Sequence, residues 1–105
     1  MEVPEIDVRT LAERLDEGAT LIDVRQLEEW EQVRVPNVPL IPLDQFVDRI
    51  AEVLTDGVVH VICKSGGRSG QAVAFLREQG VDAINVTGGT MAWVDAGLPT
   101  ESGAK

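Results

Sequence analysis

The stretch VVHVICKSGGRSG, residues 58–70, joins a run of apolar residues to a polar loop that holds the only cysteine of the chain. The run Val58–Ile62 is too continuously apolar for a half-exposed strand, and such runs are typical of the centre of a parallel sheet. A helix is predicted after the loop over Ser69–Gln79, ended by Gly80. A buried strand, a short loop and a helix in this order indicate an α/β fold.

The apolar periods on both sides of this stretch also alternate between strand and helix. Strands are predicted at Val3–Ile6, Thr20–Val24 and Ala83–Val86. Helices are predicted at Val8–Glu17 with Asp7 as N-cap, Gln26–Gln32, Asp44–Leu54 and Thr90–Ala96. In the third of these, the periodicity turns four side chains inward: Phe46, Val47, Ile50 and Leu54. The prolines of Arg34–Pro42 predict an irregular extended segment, and the alternation as a whole predicts a mostly parallel sheet.

Length and charge limit the classes of protein to which the chain can belong. Its 105 residues suffice for one domain, expected over residues 1–100, with residues 101–105 as a disordered tail. The net charge of −9 argues against a nucleic-acid partner, whose phosphates need a basic face. No apolar run approaches the roughly 18–20 residues that span a bilayer, so no membrane partner is expected. A lone cysteine and an N-terminus without signal-peptide layout predict a cytoplasmic protein.

Cys63 is the candidate nucleophile of this chain. It follows the most apolar strand and precedes a helix, at the sheet edge where parallel α/β folds bind ligands. The helix N-terminus carries partial positive charge, and Gly66 and Gly67 let successive amides converge on one point. These groups and the cations Lys64 and Arg68 favour the thiolate over the thiol.

Two other roles for Cys63 are weaker. Many lone cysteines are small buried hydrophobes, but such a residue needs neither the glycines nor the cations that follow here. A metal site is also not expected, because one cysteine and one histidine supply no ligand set.

The loop CKSGGRS, residues 63–69, resembles the active-site loop of the rhodanese family of sulfurtransferases, in which four residues separate a cysteine from an arginine. LIDVRQLEEW at 21–30, IPL at 41–43 and VTGGTMAWVDAGLP at 86–99 are similar to further signatures of that family. The resemblance covers residues 20–99. It implies a rhodanese-like α/β fold, in which a mostly parallel central sheet is flanked by helices on both faces.

The resemblance further implies transfer of sulfane sulfur through a persulfide on Cys63. A small anionic donor such as thiosulfate would supply the sulfur, and cyanide, a thiol or a protein acceptor would remove it. The substrate-binding groups would be the loop residues Lys64, Ser65, Gly66, Gly67 and Arg68, whose amides and charges hold an anionic sulfur much as an oxyanion hole holds oxygen. No metal and no organic cofactor is needed for these steps.

The charged residues near Cys63 have more than one interpretation. Arg68 is expected to bind an anion or to brace the loop, since a guanidinium bonds several acceptors at once. Asp23 ends a buried strand, where an unpaired carboxylate is costly, so an ion pair with Arg25 or Arg68 is expected. Arg25 is a second candidate for contact with the anionic substrate. Lys64 either is solvated or attracts the substrate, and Ser69 is expected to brace the loop.

His60 and the segment 33–38 are expected to be structural. Side chains alternate along a strand, so His60 points away from Cys63. The family commonly has Gly-His-Ile-Pro-Gly-Ala where this chain has VRVPNV, with Arg34 in place of histidine and Asn37 in place of glycine. Asparagine tolerates a left-handed backbone, so the turn at Asn37 is expected to survive.

Two other classes of protein use related residues. Cysteine phosphatases place a thiolate in an amide-lined loop closed by arginine, but with five residues between the two. The four residues here, 64–67, form a smaller loop that suits one sulfur more than a phosphate. Non-catalytic rhodanese-like modules bind proteins and typically lack the cysteine that this chain keeps. Sulfur transfer is therefore the function that the sequence favours.

Overall fold

A computed structural model describes residues 3–53 and 57–104 of the chain. The strands in this part form one sheet in the order β1–β4–β3–β2, and every pairing is parallel. The strands are β1 (Glu5–Ile6), β2 (Thr20–Asp23), β3 (Val59–Ile62) and β4 (Ala83–Val86). The apolar strand β3 lies inside the sheet between β4 and β2, as its sequence predicts.

The helices alternate with the strands along the chain. They are α1 (Val8–Asp16), α2 (Leu27–Gln32), α3 (Leu43–Phe46), α4 (Gly67–Glu78) and α5 (Gly89–Asp95). Asp7 caps α1 as predicted, because its carboxylate accepts the amide proton of Thr10 at 2.8 Å. None of the helices in the described residues is long and apolar enough to cross a bilayer.

The core lies on both faces of the sheet, because side chains alternate along each strand. On one face, Val59 and Val61 of β3 pack with Ala72, Val73 and Leu76 of α4. On the other face, the core joins β2, β3 and β4 to α1 and α5 through Leu21, Ile62, Val86, Leu11 and Trp93. This arrangement confirms the predicted α/β fold with helices on both sides.

The helix predicted over Asp44–Leu54 is wrong. Helix α3 ends at Phe46, and a separate 3₁₀ turn follows at Ile50–Glu52. Phe46 is buried as expected, but Val47 is 61% exposed and Val53 is buried in its stead. Short helices are marginal in water, so burial of Phe46, Ile50 and Val53 decides the path rather than helical periodicity. The predicted inward position of Leu54 lies outside the described residues.

The chain after Pro99 returns to the segment that follows α2. Arg34 and Glu101 exchange two backbone hydrogen bonds, each of 2.9 Å. The amide of Gly103 donates to the carbonyl of Glu31 at 2.7 Å. Residues 101–103 are therefore paired with the rest of the molecule, whereas the sequence predicts a disordered tail from residue 101.

Arg34 holds this junction together. Its guanidinium lies 3.7 Å from the centroid of the Trp30 ring and donates to the carbonyls of Trp30 and Gly103 at 3.0 and 2.8 Å. The side chain is buried, with a relative exposure of 1%. Asn37 has a φ of 66°, so the left-handed turn expected at this position is confirmed. The segment has the structural role that its sequence predicts.

Candidate active site

Cys63 lies between the end of β3 and the start of α4, at the carboxyl edge of the sheet. Gly66 is the N-cap of α4 and has a φ of 115°, a backbone conformation that favours glycine. This turn directs the Gly66 amide to the sulfur, with an N–Sγ distance of 3.1 Å. Helix α4 begins two residues earlier than predicted, so Arg68 lies in its first turn.

The sulfur is at the base of the loop. Cys63 is 1% exposed, whereas Lys64, Ser65 and Gly67 after it are exposed. The Ser69 hydroxyl lies 3.2 Å from the sulfur and is itself buried. The exposed residues of the loop therefore lie between solvent and a buried sulfur.

Hydrogen bonds lower the pKa of the Cys63 thiol. Burial is the largest single influence and acts in the opposite direction, because it penalises the thiolate. The hydroxyl and amide of Ser69 and the amides of Gly66 and Ser65 together outweigh it, and the pKa falls below its ordinary value. The loop thus favours the nucleophilic form of the cysteine, and it does so mainly through neutral donors.

The N-terminus of α5 supports the loop from the other side. The amide and the hydroxyl of Thr90 donate to the Cys63 carbonyl at 2.8 and 3.0 Å, and the amide of Met91 donates to the Lys64 carbonyl at 3.1 Å. A Cβ atom on Gly89 would lie 2.5 Å from the Cys63 carbonyl oxygen and 2.6 Å from that of Lys64. Only glycine permits this approach, which explains the second glycine of the GGT sequence at 88–90.

Arg68 forms a two-pronged ion pair with Glu29 of α2. The distances from its two terminal nitrogens to the Glu29 oxygens are 2.7 and 2.8 Å. The hydrogen bond from Arg68 lowers the pKa of Glu29 to about 2. In this geometry Arg68 joins α4 to α2, and its contact with an anionic substrate stays a prediction. Glu29 is a further site residue, which only its place in the EEW motif at 28–30 indicates in the sequence.

Asp23 and Arg25 form a buried ion pair at the end of β2. The Arg25 side chain donates to both Asp23 oxygens at 2.8–3.0 Å, so the first of the two expected partners of Asp23 is confirmed. Arg25 also donates to the carbonyls of Glu29 and Val33 at 3.3 and 2.7 Å. Its nitrogens are therefore occupied within the protein, and contact with an anionic substrate stays a prediction.

A cavity of about 290 Å³ lies beside the loop. Its wall combines charged residues with exposed apolar ones: Arg25, Glu29, Lys64, Met91, Val94 and Asp95. A larger cavity of about 630 Å³ lies elsewhere, between α1, α5 and residues 35–39, and its wall is mostly apolar. Cys63 lines neither cavity, but its neighbour Lys64 lines the smaller one. In the described part of the chain, no group of acidic, histidine or cysteine side chains could hold a metal ion.

His60 lies on the opposite face of the sheet from Cys63, as strand alternation predicts. Its ring nitrogens lie 3.1 Å from Arg14 and 3.1 Å from the Thr20 carbonyl. Burial lowers its pKa, because it penalises the charged ring. His60 is therefore a structural residue of the sheet.

Asn85 is a site residue that no motif in the sequence predicts. It lies in β4, is 2% exposed, and hydrogen-bonds the Ser69 hydroxyl that faces the sulfur. Its amide nitrogen donates to the Gly66 carbonyl at 3.0 Å. An asparagine inside the apolar strand AINV at 83–86 was the available signal, because buried polar groups need partners.

The sequence and the fold of this chain are similar to those of known proteins. Residues 7–96 match the Rhodanese-like domain family. A sulfurtransferase of Allochromatium vinosum is 38% identical over 100 residues, which cover 92% of this chain and 94% of that protein. A rhodanese-related protein of Thermoplasma volcanium superposes with a TM-score of 0.88 at 30% identity, over 93% of this chain and 97% of the other. A thiosulfate sulfurtransferase of Pseudomonas aeruginosa superposes with a TM-score of 0.86 at 26% identity, over 96% of this chain and 20% of the other.

Proposed function

Because the chain belongs to the Rhodanese-like domain family, we propose that it is a thiosulfate:cyanide-type sulfurtransferase that works through a persulfide on Cys63. The observation that carries the proposal is the sulfur of a buried cysteine that receives hydrogen bonds from Gly66 and Ser69. The sulfurtransferase relative from A. vinosum supports sulfur transfer in general. The named thiosulfate sulfurtransferase from P. aeruginosa supports thiosulfate as the donor.

The first step loads the enzyme with sulfur. The Cys63 thiolate attacks the outer sulfur of thiosulfate, a new S–S bond forms, and the bond between the two sulfurs of thiosulfate breaks. The bonding electrons leave with sulfite. The outer sulfur of the resulting persulfide carries the negative charge, and we assign its stabilisation to the amides of the loop 64–67. Lys64, which is exposed at the loop, offers the incoming dianion a positive charge.

The second step unloads the sulfur. Cyanide or a thiolate attacks the outer sulfur of the persulfide, takes it as thiocyanate or as a new persulfide, and returns Cys63 to the thiolate. The first step converts the Cys63 thiolate to a persulfide and the second restores the thiolate, so one full cycle leaves the enzyme unchanged. No metal, Lewis acid or organic cofactor takes part in the proposed cycle.

We also propose a thiol-bearing acceptor, which includes a thiol on another protein. Met91 and Val94 are 49% and 43% exposed beside the cavity near Cys63, and an apolar rim of this kind suits contact with a protein surface. The chemistry needs Cys63 as a free thiol, which reducing compartments preserve. We therefore propose a cytoplasmic location.

The experiment that tests this function measures thiocyanate after thiosulfate and cyanide are added to the protein. We expect turnover by the wild type and none by Cys63→Ser, because an alcohol is a poor nucleophile towards sulfur. Near-UV circular dichroism checks that the variant is folded. Hydrolysis of p-nitrophenyl phosphate is measured in parallel and is expected to be absent. Cys63-dependent phosphatase turnover without thiocyanate would refute the proposal.

A further inference from the structure

Asn85 and Ser69 form a polar pair behind Cys63, inside an otherwise apolar strand–helix contact. Both residues are buried, with exposures of 2% and 0%. The Ser69 oxygen lies within hydrogen-bonding distance of both the Cys63 sulfur and the Asn85 side-chain oxygen. One hydroxyl therefore faces two atoms that can each accept its proton.

The partners of Asn85 fix the orientation of its amide. The amide nitrogen faces the Gly66 carbonyl at 3.0 Å and a Glu5 carboxylate oxygen at 2.9 Å. Both of these groups only accept hydrogen bonds, so a flipped amide would set an oxygen against two acceptors. The amide nitrogen must stay there, and the amide oxygen must face Ser69.

The Ser69 hydroxyl has one proton and two possible acceptors for it. Neither the Asn85 oxygen nor a Cys63 thiolate carries a proton, and the hydroxyl has one to donate. If it donates to Asn85, its lone pairs face the sulfur, which suits a thiol S–H. If it donates to the sulfur, the Asn85 oxygen loses its partner, which is unfavourable in a buried position. Asn85 and the thiolate compete for the same proton.

We propose that Asn85 is a positioning residue that acts on Cys63 through the Ser69 hydroxyl. The hydroxyl donates its proton to the Asn85 oxygen while Cys63 is a thiol, and to the sulfur when Cys63 is a thiolate. The role in sulfur transfer rests on the proposed function. In the persulfide the charge moves to the outer sulfur, and the hydroxyl returns to Asn85. The competition keeps the thiolate less stabilised, and a less stabilised thiolate is a stronger nucleophile.

The charged groups around this pair come from β1, α2, α4 and the loop after β3. Glu5 of β1 contacts Asn85, and Arg68 of α4 is held by Glu29 of α2. Lys64 belongs to the loop that follows β3. The substitutions used below change none of these groups, so the charges around Cys63 are the same in every variant.

The test measures the rate of Cys63 alkylation by iodoacetamide against pH in Asn85→Leu, Ser69→Ala and the double variant. Leucine keeps the branched shape of asparagine, and the Gly66 carbonyl keeps the Gly70 amide at 3.0 Å. We expect Asn85→Leu to lower the titration midpoint by roughly half a unit to one unit, since the freed hydroxyl donates to the thiolate. The plateau rate at high pH should fall about twofold, because nucleophilicity falls with pKa.

The same Asn85→Leu substitution is then made in the Ser69→Ala variant, which lacks the hydroxyl. Ser69→Ala alone should raise the titration midpoint, and adding Asn85→Leu to it should change neither the midpoint nor the plateau rate. If Asn85 had only a structural role, Asn85→Leu would shift the midpoint equally with and without the Ser69 hydroxyl. That outcome would overturn the proposal. A raised or unchanged midpoint in Asn85→Leu with Ser69 present would also overturn it.

A second measurement needs no substitution of Asn85. In the wild type, the side-chain amide resonance of Asn85 should move in NMR spectra with the same midpoint as Cys63 alkylation, and in Ser69→Ala it should stop moving. If the Asn85 amide resonance of the wild type does not shift as Cys63 titrates, the inference is refuted, even if Asn85→Leu fails to fold. Neither readout uses thiosulfate, so a protein that passes these tests but never accepts sulfur refutes the proposed function alone.

Discussion

At Cys63, burial and hydrogen bonding act in opposite directions on a single thiol. Burial raises its pKa, and the donors of Ser69, Gly66 and Ser65 lower it by more. From the sequence, the helix N-terminus, the loop amides and the cations Lys64 and Arg68 are all expected to lower this pKa. The structure gives Arg68 a carboxylate partner, Glu29, so its charge is largely matched at contact range. At the scale of the residue, the groups that lower the pKa of Cys63 are therefore mainly neutral donors.

Glu29→Gln should lower the free energy of unfolding by about 1 kcal/mol or less at pH 7, since both partners of the Arg68 pair are about a third exposed. The folded pKa of Glu29, about 2, lies below the ordinary value. Its contribution is therefore present above the unfolded pKa of about 4.3 and is lost as the pH falls towards 2. Urea unfolding of the wild type and of Glu29→Gln at several pH values measures the difference in their free energies of unfolding.

The neighbouring Glu28→Gln is the matched control for that series, because Glu28 is exposed in the same first turn of α2. We expect it to leave both the stability and the rate of sulfur transfer near those of the wild type. If the difference between Glu29→Gln and the wild type stayed constant from pH 7 to pH 2, the ion pair with Arg68 would not be its source.

At the scale of elements, the loop at residues 63–66 leads into α4, and its carbonyls accept hydrogen bonds from the amides of α5. Gly89→Ala would force a Cβ atom to within 2.5 Å of the Cys63 carbonyl oxygen. We expect a loss of at least about 2 kcal/mol in the free energy of unfolding, from the positive φ together with the clash. Alkylation of Cys63 should also slow, since the loop has to shift.

Gly97→Ala separates these two causes. Gly97 has a φ of 74°, but a Cβ atom there would meet nothing within 4 Å. This variant should lose only about 1–2 kcal/mol from the left-handed backbone and should keep the reactivity of Cys63. Equal losses of stability and reactivity in the two variants would show that α5 does not support the loop.

The elements that the sequence predicted well are those with a strong local signal. Strand β4 and the cap at Asp7 follow directly from apolar runs and capping chemistry. The helix over Asp44–Leu54 was wrong because burial of Val53, a tertiary contact, overrode the local period. Glu29 and Asn85 were missed as site residues for the same reason. Their partners, Arg68 and Ser69, are 39 and 16 residues away along the chain.

At the scale of the whole molecule, a net charge of −9 surrounds the site for which we propose an anionic donor. The described residues extend over 33 × 26 × 23 Å. At about 10 mM salt the Debye length is about 30 Å, so an approaching thiosulfate is exposed to nearly the whole charge, whereas at 0.15 M it is about 8 Å. We expect kcat/KM for thiosulfate to rise severalfold between these salt concentrations.

The control for this prediction is iodoacetamide, which is neutral and should alkylate Cys63 at nearly the same rate at both salt concentrations at a fixed pH. A kcat/KM for thiosulfate that falls as salt is added would mean that local attraction by Lys64 and the loop amides outweighs the long-range field. Steady-state assays at constant pH distinguish the two outcomes.

Mass spectrometry of the intact protein after incubation with thiosulfate shows whether Cys63 accepts a sulfur atom. We expect a mass increase of one sulfur atom, located on the peptide that contains Cys63, and its removal by cyanide. Cys63→Ser should gain no sulfur. An unchanged mass for the folded wild type under excess thiosulfate would refute the proposed persulfide.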